Sequence, residues 1–82
     1  MFVSVAIVRL FASAREAAGT GRDVIDADDV AGVLTEARSR YGERFVALLA
    51  TCRVWVNGEP ADPDTPVSAA DEVAILPPVS GG

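Results

Sequence analysis

Two side chains that often carry catalysis, histidine and lysine, are absent from this chain. Its 82 residues include no histidine, no lysine and a single cysteine, Cys52. There is no imidazole or side-chain amine to serve as base, nucleophile or Schiff-base former. A self-contained hydrolase or aldolase is hard to build from that inventory. One cysteine and no histidine also rule out a zinc pattern. Asp62 and Asp64 begin like a calcium loop, but Pro66 and Val67 stand where a ligand and a glycine are needed. Asp26, Asp28 and Asp29 read better as a strand end and a helix cap, so no metal is expected. Gly19-Thr20-Gly21 lacks the lysine and the following helix of a phosphate-cradling loop. No bound cofactor is expected, and ATP would be handled by a partner.

What remains is the end of the chain, Pro77-Pro78-Val79-Ser80-Gly81-Gly82. Two terminal glycines alone usually mean a loose terminus. Here a proline pair precedes them, stiffens the exit and favours an extended path. Six extended residues reach about 20 Å at ~3.3 Å each. Gly81 and Gly82 make the tip thin enough for a narrow channel, and their backbone is permissive. The α-carboxylate of Gly82 has a reference pKa of about 3.5 and is ionised at neutral pH. An ionised carboxylate is a poor electrophile, so acyl chemistry there needs activation by another protein.

A body must hold this tail. Val3 to Phe11 is β-branched and apolar and reads as a central strand. Ala12 to Ala18 offers one or two helical turns, and Gly19-Thr20-Gly21 reverses the chain. Arg22 to Ala27 alternates as a second strand, antiparallel to the first because the connection is short. Val30, Val33, Leu34, Ala37 and Tyr41 form one helical stripe that should face the sheet. Asp28 or Asp29 caps that helix, and Arg38, Arg40 and Gly42 suit its end. Phe45 to Leu49 reads as a short apolar turn. Arg53 to Asn57 is a third strand ending in the tight-turn pair Asn57-Gly58. Pro60, Pro63 and Pro66 impose an irregular crossing. Val73 to Leu76 is the last strand, stopped by Pro77-Pro78. The expected division is a domain over residues 1–76 and a tail over 77–82.

The bulk properties fit a small carrier or binding protein. Net charge is −5, which disfavours nucleic acid and suggests basic partner surfaces. No apolar run of ~20 residues exists, so no membrane span is expected. A lone cysteine fits a reducing compartment, hence the cytoplasm.

The stretch from Val73 to Gly82, Val-Ala-Ile-Leu-Pro-Pro-Val-Ser-Gly-Gly, preceded by Asp71-Glu72, resembles the end of the molybdopterin synthase sulfur-carrier (small) subunit family. Leu10 to Gly19, with Phe11, Ala12, Arg15 and Glu16, resembles that family's first strand and turn. The order of elements matches along the whole chain. The resemblance implies an α+β, ubiquitin-like β-grasp fold: a mixed sheet of four to five strands packed on one main helix. It implies a non-catalytic subunit whose Gly82 is adenylated by a ubiquitin-activating-type enzyme using ATP. A sulfur donor protein then converts Gly82 to a thiocarboxylate. The tail, Pro77 to Gly81, enters the large subunit of molybdopterin synthase and delivers sulfur to a pyranopterin precursor.

Two departures stand out: Ala70 where the family usually has glycine, and Leu76 where it often has an aromatic residue. A positive φ at Ala70 would be strained. Phe11 and Leu76 resemble partner-docking positions. A single phenylalanine is as often core, whereas Leu76, beside the tail, reads as interface. Acidic residues are expected near this apolar patch. Arg15-Glu16 reads as structural, Cys52 as a small buried residue, and Trp55 as sheet-face packing. Sulfur carriage in another pathway, such as thiamine thiazole synthesis, and ubiquitin-like protein modification are the alternatives. Lacking lysine, the chain cannot form lysine-linked polymers of itself.

Overall fold

A computed structural model describes residues 5–78. The chain forms β1 (Val5–Leu10), α1 (Ala12–Ala18), β2 (Arg22–Asp26), α2 (Val30–Tyr41), α3 (Glu43–Leu49), β3 (Arg53–Val56), β4 (Glu59–Pro60) and β5 (Glu72–Leu76). The strands join in one sheet ordered β2-β1-β5-β3-β4. β1 and β5 run parallel, and every other pairing is antiparallel. Such a mixed sheet wrapped over one principal helix is the β-grasp arrangement that the sequence implies.

Strand alternation sets the two faces. Ala6, Val8, Leu10, Ile25, Val73 and Ile75 are buried beneath the helices with Val30, Val33, Ala37, Phe45 and Leu49. The intervening residues Ile7, Arg9, Ala74, Leu76 and Trp55 lie on the opposite, helix-free face. The α2 stripe therefore faces the sheet as expected, although Leu34 is only partly buried at its margin.

Helix α2 starts and stops where the sequence says. Asp29 caps it, its Oδ1 accepting from the Gly32 N–H at 2.7 Å. The proline-rich crossing supplies two more acceptors: Val30 N–H donates to the Thr65 carbonyl and Ala31 N–H to that of Pro63. Free first-turn donors are thus satisfied by the segment that precludes a helix of its own. Gly32 also finds its reason. A Cβ there would lie 3.1 Å from Ala27 Cβ and 3.2 Å from the capping oxygen, so the helix-weakening glycine makes room for the cap.

Two elements differ from expectation. Phe45 to Leu49 is not a turn but most of helix α3, which places Phe45 and Leu49 in the core and Val46 in solvent. Spacings of three and four residues within so short a run do not distinguish a turn from a helix. The tight turn after β3 adds a two-residue strand, β4, pairing Trp55 with Pro60 and Val56 with Glu59. Pro60 is tolerated because β4 is the sheet edge.

Candidate functional site

β1 and β5 are parallel neighbours, so their C-terminal ends emerge side by side. Leu10 pairs with Ile75, and the Phe11 N–H donates to the Ile75 carbonyl at 3.3 Å. Phe11 and Leu76 thereby meet at one end of the open face. β3, antiparallel to β5, brings Arg53 opposite Leu76 and Trp55 opposite Ala74. Together with Ala12, Pro77 and Pro78 these residues line an open, mostly apolar groove of about 650 Å³.

Phe11 is not core. It is 40% exposed, the N-cap residue of α1 with no side-chain capping bond. Its neighbour Ala12 has φ +50°, a left-handed conformation costly for a residue with a Cβ. Leu76 and Pro77 are half-buried and Pro78 is exposed. Sequence-predicted docking residues and the base of the tail are thus brought together. Val79, Ser80, Gly81 and Gly82 lie outside the described residues, so their placement is not part of this geometry.

Sequence reasoning missed Trp55, Arg53 and Ala12 as members of the groove. The Val54-Trp55-Val56 alternation does signal that Trp55 faces away from the valines. Its apposition to Leu76's strand depends on the β3–β5 register, which no local pattern encodes. The charged residue lining the groove itself is Arg53, and Glu72, on the same sheet face, is the acidic residue near it, 3.8 Å from Arg9.

The other candidates resolve into structural roles. The Arg15 carbonyl accepts the Gly19 N–H that closes α1, and its side chain runs along Gly21, where a Cβ would lie 3.1 Å from Nε. The Cys52 thiol donates to the Leu48 carbonyl at 3.4 Å. Burial pushes its pKa up, away from the thiolate needed for sulfur transfer. Asp23 accepts from the Tyr41 hydroxyl and from Arg40, tying β2 to the end of α2. The Tyr41 hydrogen bond, ahead of Arg40, holds Asp23 below the usual carboxylate range. Burial, then the Asp23 carboxylate, push the Tyr41 phenol up. Among the described residues no group of acidic, histidine or cysteine side chains is arranged to hold a metal. Among the described residues no helix is long and apolar enough to cross a membrane.

Fold and groove together define a ubiquitin-like β-grasp protein with an open, mostly apolar groove at one end of its sheet. Comparison with known proteins supplies the family: the ThiS family model matches residues 8–82, and the chain belongs to that family. Among solved structures it is similar to small archaeal modifier protein 1 from Methanosarcina acetivorans, at 27% identity, TM-score 0.85 and full coverage of both chains. It is similar to the same-named protein from Haloferax volcanii at 29% identity and TM-score 0.79, covering 95% of this chain and 99% of that one. A chain in the complex of subunits 1 and 2 of molybdopterin-converting factor from Helicobacter pylori matches at 25% identity and TM-score 0.74, with 95% and 99% covered. No curated protein sequence matches the chain significantly.

Proposed function

We propose that this protein is the sulfur-carrier subunit of molybdopterin synthase, a cytoplasmic protein with no catalytic site of its own. The observation that carries the reading is the groove of Phe11, Leu76 and Trp55 lying where Pro77 and Pro78 leave the sheet. A docking surface at the root of a thin tail lets a partner grip the body while the tip enters its active site. The match to one chain of a two-subunit molybdopterin-converting factor complex supports the same reading.

The chemistry follows from the poverty of the side-chain inventory. The Gly82 carboxylate attacks the α-phosphorus of ATP on an adenylating partner, and pyrophosphate leaves. The terminal sulfur of a persulfide on a donor protein displaces AMP, and a second thiol then attacks the donor-side sulfur of the resulting acyl disulfide, releasing the Gly82 thiocarboxylate and leaving a disulfide on the donor. Its sulfur attacks a carbon of the pyranopterin precursor in the large subunit and displaces an oxygen leaving group there, and water then cleaves the resulting thioester, returning Gly82 to a carboxylate and leaving the sulfur on the pterin. The carrier supplies reach and docking, and its partners supply every activated group.

A second reading, protein modification, is favoured by the similarity to small archaeal modifier proteins. Sulfur delivery to a thiazole is the third. Intact-mass analysis of the protein from its own cells separates them. The carrier reading predicts a gain of about 16 Da at Gly82, oxygen replaced by sulfur, as the activated nucleophile requires. Gly82 joined to target lysines with no thiocarboxylate form would overturn it. A thiocarboxylate that the large subunit cannot consume would redirect it to another pathway.

A further inference from the structure

In this acidic chain, the open face of the sheet carries arginines. Arg9 and Arg22 are direct cross-strand partners on β1 and β2, and Arg53 lies opposite Leu76 on β3. By strand alternation all three share the helix-free face with Trp55. Like charges directly opposite one another on a sheet are destabilising, so the Arg9–Arg22 pairing works against the fold. Neutralisation is slight. Among the described residues Arg9 has one loose contact, 3.8 Å to a half-exposed Glu72, and neither Arg22 nor Arg53 has an ion-pair partner. Arg40, by contrast, is paired with both Asp23 and Glu36. Three inter-strand spacings separate Arg22 on β2 from Arg53 on β3, about 14 Å at ~4.8 Å each. The long side chains can therefore frame one contiguous patch, with Trp55 and Leu76 inside it.

We infer that this arginine row is a docking surface for a partner protein that presents a cluster of carboxylates around an apolar contact. Charge complementarity names the occupant. The guanidinium fork suits carboxylates in bidentate pairs. A long phosphate polyanion would also meet the chain's net charge of −5, which opposes nucleic acid. The inference rests on the carrier reading only for which partner protein brings those carboxylates.

Trp55, the chain's single tryptophan, sits within the patch and reports on it by fluorescence. The test titrates the whole protein with a ten-residue glutamate peptide, then with a lysine peptide and a short RNA duplex. The account predicts a saturable Trp55 response to the glutamate peptide alone, weakened at least tenfold on moving from low to physiological salt. The triple variant Arg9→Gln, Arg22→Gln, Arg53→Gln should lose that response while melting at the same or a higher temperature, because the repulsion is relieved. Arg38→Gln, on α2, should bind like the parent. An equal response in the triple variant, a preference for the lysine peptide, or tighter arginine-dependent binding of RNA would each overturn the inference. A chain lacking Gly82 separates the two claims. It should keep the peptide response and lose ATP-dependent sulfur transfer. Retained transfer would sink the carrier reading and leave the arginine surface standing.

Discussion

The two ends of the sheet are built to opposite rules. At the end where Asn57 turns the chain, polar groups are paired among themselves. Asn57 Oδ1 accepts the Glu72 N–H and its amide donates to Asp71. Asp71 accepts in turn from the backbone and hydroxyl of Ser68. The hydrogen bond from Asn57, then that from the Ser68 backbone, lowers the Asp71 pKa. At the tail end the reverse holds. Phe11 is exposed, Ala12 is held at φ +50°, and Arg22 and Arg53 are without ion-pair partners among the described residues. One end is closed by its own hydrogen bonds, and the other leaves apolar and charged groups exposed, as the proposed docking role requires. Exposed apolar surface and unpaired charge gather at the tail end, whereas positive φ outside glycine occurs at both ends, at Ala12 here and at Asn57 and Ala70 opposite.

Substitutions can break that contrast. Phe11→Ala should weaken binding to the large subunit by ten- to a hundredfold, about 1.4–2.8 kcal/mol, as expected of an exposed aromatic anchor. Its melting temperature should hardly move. Unfolding without a binding defect in the refolded protein would make Phe11 structural. Asn57→Ala should do the converse. It removes two hydrogen bonds from a residue at φ +50°, costing about 1–3 kcal/mol in denaturant melts. Binding should stay near normal, and a large loss of affinity would show that the turn end also meets the partner.

Acid tests the link between sheet and helix. Asp23 has a depressed folded pKa, so its contribution is present above its unfolded value of 3.8 and is lost as pH falls through the lower folded one. Tyr41 is raised, so its contribution is present below 10.0 and fades as pH rises beyond it. Tyr41→Phe should flatten both limbs of the stability–pH curve. An unchanged curve would show that the Tyr41–Asp23 bond does not couple to folding. The smallest effect belongs to Ala70, whose φ of +71° matches the strain anticipated for a position the family usually gives to glycine. Ala70→Gly should relieve about 1–2 kcal/mol of strain and lose about half that in chain entropy. The net gain is a small rise in melting temperature, and a fall would deny that the strain exists.

Much of this was legible beforehand. The 3.6-residue stripe and Asp29 placed α2, and Pro77-Pro78 ended β5, because caps and periodicity are local signals. α3 was not legible, since seven residues with a glycine entry give too little periodicity. The groove was legible in Phe11 and Leu76 only through family resemblance. Trp55 and Arg53 joined it through the pairing of β3 with β5, and the arginine row through the register of β1 against β2. Neither is written in any one segment. The expectation of acidic residues near the patch followed from the net charge, which says nothing about where the arginines cluster.

The central claim is that the Gly82 carboxylate is the working group. Its most direct measurement is ATP-dependent adenylation and sulfur transfer by the parent, by a chain lacking Gly82 and by one carrying an extra alanine after it. Each change shifts the carboxylate by about 3.3–3.6 Å along an extended tail, well beyond the ~1 Å error that can cost a hundredfold. The account predicts that both variants melt like the parent and lose transfer by at least that factor. Near-normal transfer from either one would contradict it.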